Sequence, residues 1–169
     1  MEELHDTRMK NRTVKQRDKW ETPDYLFNHV NKQLHFDIDL AASVENTKCE
    51  KFFGAEDNAL KQSWDGIIGW CNPPYSDKIP WIEKAISAKD STIAMLLPAS
   101  TDTIWFHKAL KECASVLFTK GRVNFEAPDR ISSSGNVGGS ALFIFDKSEP
   151  NNTSIGILDL KEIKAQSKQ

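Results

Sequence analysis

At 169 residues the chain suits one domain with a real core and is short for two, and 39% hydrophobic with 27% charged residues is an ordinary globular mix. A formal net charge of −2 excludes nucleic-acid binding through the global field, so any such binding must use local patches. Cys49, Cys71 and Cys113 are odd in number and lack CxxC spacing, which gives no metal site and no disulfide framework and points to free thiols in a reducing compartment. No apolar run approaches membrane-spanning length, and the charged opening "MEELHDTRMK" is not a secretory signal.

In chain order, residues 1–19 read as a basic, flexible arm. Lys10, Arg12, Lys15, Arg17 and Lys19 stand against the single acid Asp18 between Met9 and Lys19. A solvated tail is the plain reading, and an arm that neutralises phosphates is the functional one. A helix is expected from Thr22 as N-cap with Pro23 behind it, since Leu26, Phe27, Val30 and Leu34 recur at helical spacing. "HFDIDLAAS" reads as a short strand breaking into a small-residue turn, followed by a weak helix through "VENTKCE". "KFFG" and "IIGWC" are further strands, the second stopped by Pro73 and Pro74. "IPWIEKAISAKD" is a helix with Ile79, Ile82 and Ile86 on one face, and residues 93–97 form a continuous apolar run ended by Pro98. "TDTIWFHKALKEC" is helical, while "SVLFTKGRVNF" and "ALFIFD" read as strands. The core domain spans 20–147, with a Ser/Gly-rich loop at 127–140 as the DNA-facing candidate. Residues 148–169 read as a partly flexible extension with a frayed end.

Short apolar strands alternating with helices argue for an α/β fold with a buried, mostly parallel sheet. Ligands in such sheets collect beyond the carboxyl ends of the strands, where the breaks after Asp39, before Asn72 and at Pro98 would all lie. "WCNPPYS" has its own logic. Pro73 cannot donate to a ladder and Pro74 stiffens the next step, so the backbone leaves the sheet rigidly. Asn72 brings an acceptor oxygen and an amide donor, and Tyr75 a flat π-face. That set suits a planar amine such as the amino group of adenine, and it needs no general base, metal or covalent nucleophile if the amine attacks an activated electrophile.

The NPPY motif resembles the catalytic motif of amino-methyltransferases that use S-adenosylmethionine. With "WETPDYLF", "FDIDLAAS", "CEKFFGAEDNAL", "PWIEKA", "LLPASTDTIWFH" and "GRVNF", the chain from about Trp20 to Phe145 is similar to the small phage-type DNA adenine methyltransferases of the Dam family. The resemblance implies a compact, Rossmann-like methyltransferase fold and methyl transfer to the 6-amino group of a flipped adenine in double-stranded DNA. Asn72, Pro73, Pro74 and Tyr75 would be the catalytic set, with Asn72 and the Pro73 carbonyl accepting from the amine and Tyr75 stacking on the base. Trp20, Thr22, Pro23, Asp39, Ala41, Ala42, Ser43, Asp57 and Asn72 would hold the cofactor. Arg122 and, within the loop, Arg130 would join the arm in contacting DNA. A phage- or prophage-encoded enzyme of this kind would act in the bacterial host cytoplasm.

One departure stands out. Methyltransferases generally place glycines in the turn after the first strand, where this chain has "DLAAS", and alanine resists positive φ. Local alternatives also stand: Asn72 as a turn cap, Asp39 as an Asx turn, Asp57 as the cap of "NALKQSW". His107 reads as a structural or substrate-edge residue. The same NPPY chemistry serves RNA adenine or a protein glutamine amide, and a catalytically silent DNA-binding module is the alternative from another class.

Overall fold

The computed structural model describes residues 20–126, 138–148 and 153–168. Seven strands form one sheet: β1 (Ile38–Asp39), β2 (Lys51–Phe52), β3 (Ile68–Cys71), β4 (Thr92–Pro98), β5 (Ser115–Lys120), β6 (Ser140–Asp146) and β7 (Ser154–Asp159). Their spatial order is β2-β1-β3-β4-β6-β5-β7. The pairs β2-β1, β1-β3, β3-β4 and β5-β7 are parallel. Only β6 runs against its neighbours, in register from Thr92 opposite Asp146 to Pro98 opposite Ser140. The mostly parallel α/β architecture expected from the sequence is therefore present.

Strand β4 shows why the sheet is buried on both faces. Its alternate residues Ile93, Met95 and Leu97 enter one cluster, and Ala94 and Leu96 enter the other. The first cluster is covered by helices α2 (Lys78–Ser87) and α3 (Ile104–Glu112), through Ile82, Ala85, Phe106 and Ala109. The second is covered by α1 (Asp24–Leu34) and α4 (Leu160–Gln166), through Leu26, Phe27, Val30, Leu160 and Ile163. Such double coverage explains a strand that reads as one apolar run. Pro80 sits in the first turn of α2, where its missing N–H has no intrahelical role.

Five local expectations are corrected. Pro23, not Thr22, occupies the N-cap of α1; the Glu21–Glu126 backbone bridge draws the chain inward, and Thr22 is buried. "VENTKCE" forms turns, because side chains compete with helical bonds: the Ser43 N–H donates to Asn46 Oδ1 and the Thr47 hydroxyl to the Cys49 carbonyl. β5 stops at Lys120, and Gly121 turns the chain with φ 100°. Residues 153–168 are an edge strand and a helix rather than a frayed extension, with Leu158, Leu160 and Ile163 in the core. Asp159 caps that helix by accepting from the Lys161 and Glu162 N–H groups. Ile79 also leaves the expected apolar face of α2, half exposed.

Candidate active site

Strands β1, β3 and β4 are parallel, so Asp39, Cys71 and Pro98 end on one rim. The start of β6 joins them there, with Ala99 N–H donating to the Gly139 carbonyl at 2.9 Å. A cleft of about 690 Å³ opens on this rim, between the turn after β1, the turns after β2 and the NPPY segment.

The turn after β1 is organised from inside. Asp39 is buried, and its carboxylate accepts from the Ala41 N–H at 3.2 Å and the Lys48 N–H at 3.1 Å. Burial pushes its carboxyl above the usual range, opposed by those two bonds. The side chain shapes the turn from beneath and does not line the cleft, so the Asx-turn reading describes its geometry. Ala41, Ala42 and Ser43 do line it. Among the described residues only His35, Asn58 and Asp90 are non-glycines with positive φ. The alanines of "DLAAS" therefore sit at ordinary φ, and the turn needs no glycine for its backbone conformation.

The three turn residues that line the cleft spend their backbone N–H groups inside the protein. Ala41 N–H goes to Asp39, Ala42 N–H to the Phe53 carbonyl at 3.1 Å, and Ser43 N–H to Asn46 Oδ1 at 2.6 Å. A dinucleotide's pyrophosphate would find no nest here. A phosphate-free cofactor fits better, and the carboxylate residues Glu21 and Glu45 along the cleft suit one that carries positive charge. The small residues Gly54, Ala55 and Ala59 line the cleft as well, together with Trp81.

Asp57, expected at the cofactor, turns back instead. Its Oδ2 accepts from the Gly54 N–H at 2.7 Å while its own N–H donates to the Gly54 carbonyl at 3.2 Å. The neighbours Gly54, Ala55 and Asn58 line the cleft in its place. Sequence reading missed these three, with Glu21, Glu45 and Trp81. The signal for the first group was the Gly and Asn of "GAEDNAL", which mark tight turns.

At the motif, Asn72 Nδ2 donates to the Trp20 carbonyl at 3.1 Å. That bond turns Oδ1 the other way, buried and without a partner among the described residues. Thr22 Oγ1 and Tyr75 Oη share that condition. Buried polar atoms are nearly always paired, so the Asn72 amide oxygen at the end of β3 is an acceptor that a ligand's donor could satisfy. Pro73 is buried and Pro74 lines the cleft; Lys78 Nζ fixes the following turn by donating to the Tyr75 carbonyl at 2.8 Å. The Tyr75 ring stands perpendicular to Phe125, centroids 6.0 Å apart, and is partly buried beside the cleft rather than lining it. Burial, helped by the nearby Cys71 thiol, pushes its phenol well above the ordinary range.

The remaining expectations divide by position. Trp20 and Pro23 sit behind the motif, acting through backbone: the Trp20 carbonyl on Asn72, the Pro23 carbonyl on the Leu26 and Phe27 N–H groups. Arg122 is exposed just beyond β5, on the same rim. His107 is exposed on α3 with its ring against Phe106. Lys10, Arg12, Lys15, Arg17, Lys19 and Arg130 lie outside the described residues. Among the described residues there is no cluster of His, Cys, Asp and Glu able to hold a metal, and no helix long and apolar enough to cross a membrane.

The fold resembles that of a provisionally assigned class I S-adenosylmethionine-dependent methyltransferase from Listeria monocytogenes, with TM-score 0.55 and 12% identity over 95% of this chain and 72% of that one. In sequence, the chain is 33% identical over 115 residues to the DNA N-6-adenine-methyltransferase of Haemophilus phage HP1, covering 64% of this chain and 66% of the relative. It is 39% identical over 106 residues to the enzyme of the same name from Escherichia phage T1, covering 60% of this chain and 44% of that relative. The matched stretch thus spans less than two thirds of either phage protein. The family model described as DNA N-6-adenine-methyltransferase (Dam) matches residues 9–169, nearly the whole sequence, and the chain belongs to that family.

Proposed function

We propose that the protein transfers a methyl group from S-adenosylmethionine to the 6-amino group of an adenine in double-stranded DNA. The observation that carries this reading is the buried Oδ1 of Asn72 at the end of β3, without a partner among the described residues and beside the cleft. Bound in the cleft, S-adenosylmethionine supplies an electrophilic methyl group on a positively charged sulfur. Ala41, Ala42 and Ser43 on one side and Gly54 and Ala55 on the other would enclose it, with Glu21 and Glu45 supplying opposite charge.

The residues of this chain act mainly on the base. A target adenine must leave the duplex, at a cost of a few kcal/mol. Asn72 Oδ1 accepts one amino hydrogen, joined by the Pro73 carbonyl, which draws the nitrogen lone pair out of conjugation with the ring. As the new nitrogen–carbon bond forms and the carbon–sulfur bond breaks, leaving a neutral thioether, the nitrogen would become positive and the same acceptors would stabilise that charge. The surplus proton leaves to water, so no imidazole or carboxylate base is required. Tyr75 offers its ring to the base, and the two prolines keep acceptor and ring from drifting apart. The DNA grip falls to Arg122, to Arg130 and to the basic residues between Lys10 and Lys19. The host cytoplasm is the compartment for this reaction.

Labelled methyl transfer from S-adenosylmethionine, offered in parallel to DNA, RNA and protein, tests the reading. Label in DNA alone is expected. Label only in RNA or protein would move the substrate, and no label with intact DNA binding would favour a silent binding module.

A further inference from the structure

Asn72 matters through the orientation of its amide, and a primary amide has two orientations that exchange oxygen for NH2. With Oδ1 toward the substrate the site accepts; flipped, it presents a donor to an amine that also donates. The bond from Nδ2 to the Trp20 carbonyl makes that choice. Trp20 itself precedes α1 and lies in no regular element. Its side chain packs against the second core cluster, and its backbone is further constrained by the next residue. Glu21 and Glu126 exchange both backbone bonds, Glu21 N–H to the Glu126 carbonyl at 2.8 Å and Glu126 N–H to the Glu21 carbonyl at 3.0 Å. The Glu126 end is anchored by Val123 and Phe125, both buried in the same cluster as Leu26 and Trp70, whereas the Glu126 side chain is exposed.

We propose that the Glu21–Glu126 backbone bridge is a positioning device for Asn72, holding the Trp20 carbonyl where it selects the accepting orientation of the amide. This rests on Asn72 Oδ1 being the acceptor for the target amine. The bridge acts through its N–H and carbonyl groups, so the identity of residue 126 matters only when the N–H is lost. Proline is that case.

Wild type, Glu126→Ala and Glu126→Pro are compared, with circular dichroism to verify folding. The Asn72 side-chain amide is followed by proton–nitrogen NMR, its signal identified by loss in Asn72→Ala. Hydrogen exchange of that amide is expected to be slow in wild type and Glu126→Ala and fast in Glu126→Pro. At saturating cofactor and DNA, kcat of Glu126→Pro is expected to fall on the order of 10–100-fold below Glu126→Ala, with cofactor Kd equal in the two. Equal amide exchange in the two variants overturns the proposal, as does a kcat loss with the amide still protected. If Glu126→Pro does not fold, Glu21→Pro removes the reciprocal N–H and is read against Glu21→Ala in the same way. A wild type without methyl transfer would defeat the parent reading, while the amide exchange would still decide this one.

Discussion

Replacing Tyr75 by Phe removes one oxygen and leaves the ring where Phe125 holds it, perpendicular at 6.0 Å. In the wild type that oxygen is buried with no hydrogen-bond partner among the described residues. Its ionisation is pushed so far up, chiefly by burial, that the phenol is neutral throughout the working range, and charge plays no part in the comparison. What remains is a hydroxyl stripped of water and given nothing in return, a cost of about 1–3 kcal/mol. Tyr75→Phe is therefore expected to be more stable than wild type by up to about 3 kcal/mol, read as a higher urea midpoint with an unchanged m-value. The same variant is expected to keep most methyl transfer, because the ring face rather than the hydroxyl meets the base. Tyr75→Ala should lose most of it, since a base stacked on an aromatic ring gains roughly 1–3 kcal/mol. A Phe variant less stable than wild type would refute the orphan hydroxyl. A Phe variant as inactive as Ala would refute the stacking role.

Three further outcomes are expected. Asp39 has its folded-state pKa raised, mainly by burial, so the fold binds its proton more tightly than the unfolded chain. Its contribution therefore falls as pH rises from the ordinary carboxylate value through the raised one. The unfolding free energy of wild type relative to Asp39→Asn should then increase on acidification through that window, and a flat or opposite trend in urea melts counts against it. Gly69→Ala would set a Cβ 2.7 Å from Leu40 Cδ1 and 3.1 Å from Ile93 Cδ1, both in the packed core, for a cost of about 1–3 kcal/mol in thermal unfolding; an unchanged melting curve would mean β3 can yield. Deleting residues 1–17 should weaken DNA binding and flatten the slope of log affinity against log salt by about 2, with cofactor affinity unchanged. Identical slopes would make the arm a passive tail.

What could be read from the sequence follows from which physical constraint dominated each segment. β4 and its neighbours were legible because strands covered on both faces need unbroken apolar runs. The NPPY break was legible because two prolines after such a run leave few backbone choices. The C-terminal pair β7 and α4 was missed because an edge strand need not bury its apolar residues: Ile155 and Ile157 are 72% and 71% exposed. The only signal was Asp159 followed three residues later by Glu162, a helix start inside a polar stretch. Asp39 and Asp57 stand in the turns that the sequence marked. Both carboxylates serve nearby backbone N–H groups that the turns leave without carbonyl partners, an obligation that residue type alone does not reveal. The tie between Trp20 and Asn72 spans 52 residues and runs through a backbone carbonyl, so no side-chain pattern could announce it.

The central claim is that the oxygen of Asn72 accepts the amine that becomes methylated. The most direct measurement is the rate at which wild type and Asn72→Ala form 6-methyladenine in DNA, at saturating S-adenosylmethionine and DNA, with products resolved as nucleosides. Removing an acceptor that strengthens as charge develops costs on the order of 10²–10³ in rate, so the variant is expected to fall by that factor while keeping its fold and its cofactor affinity. A folded Asn72→Ala protein forming 6-methyladenine at the wild-type rate would contradict the account.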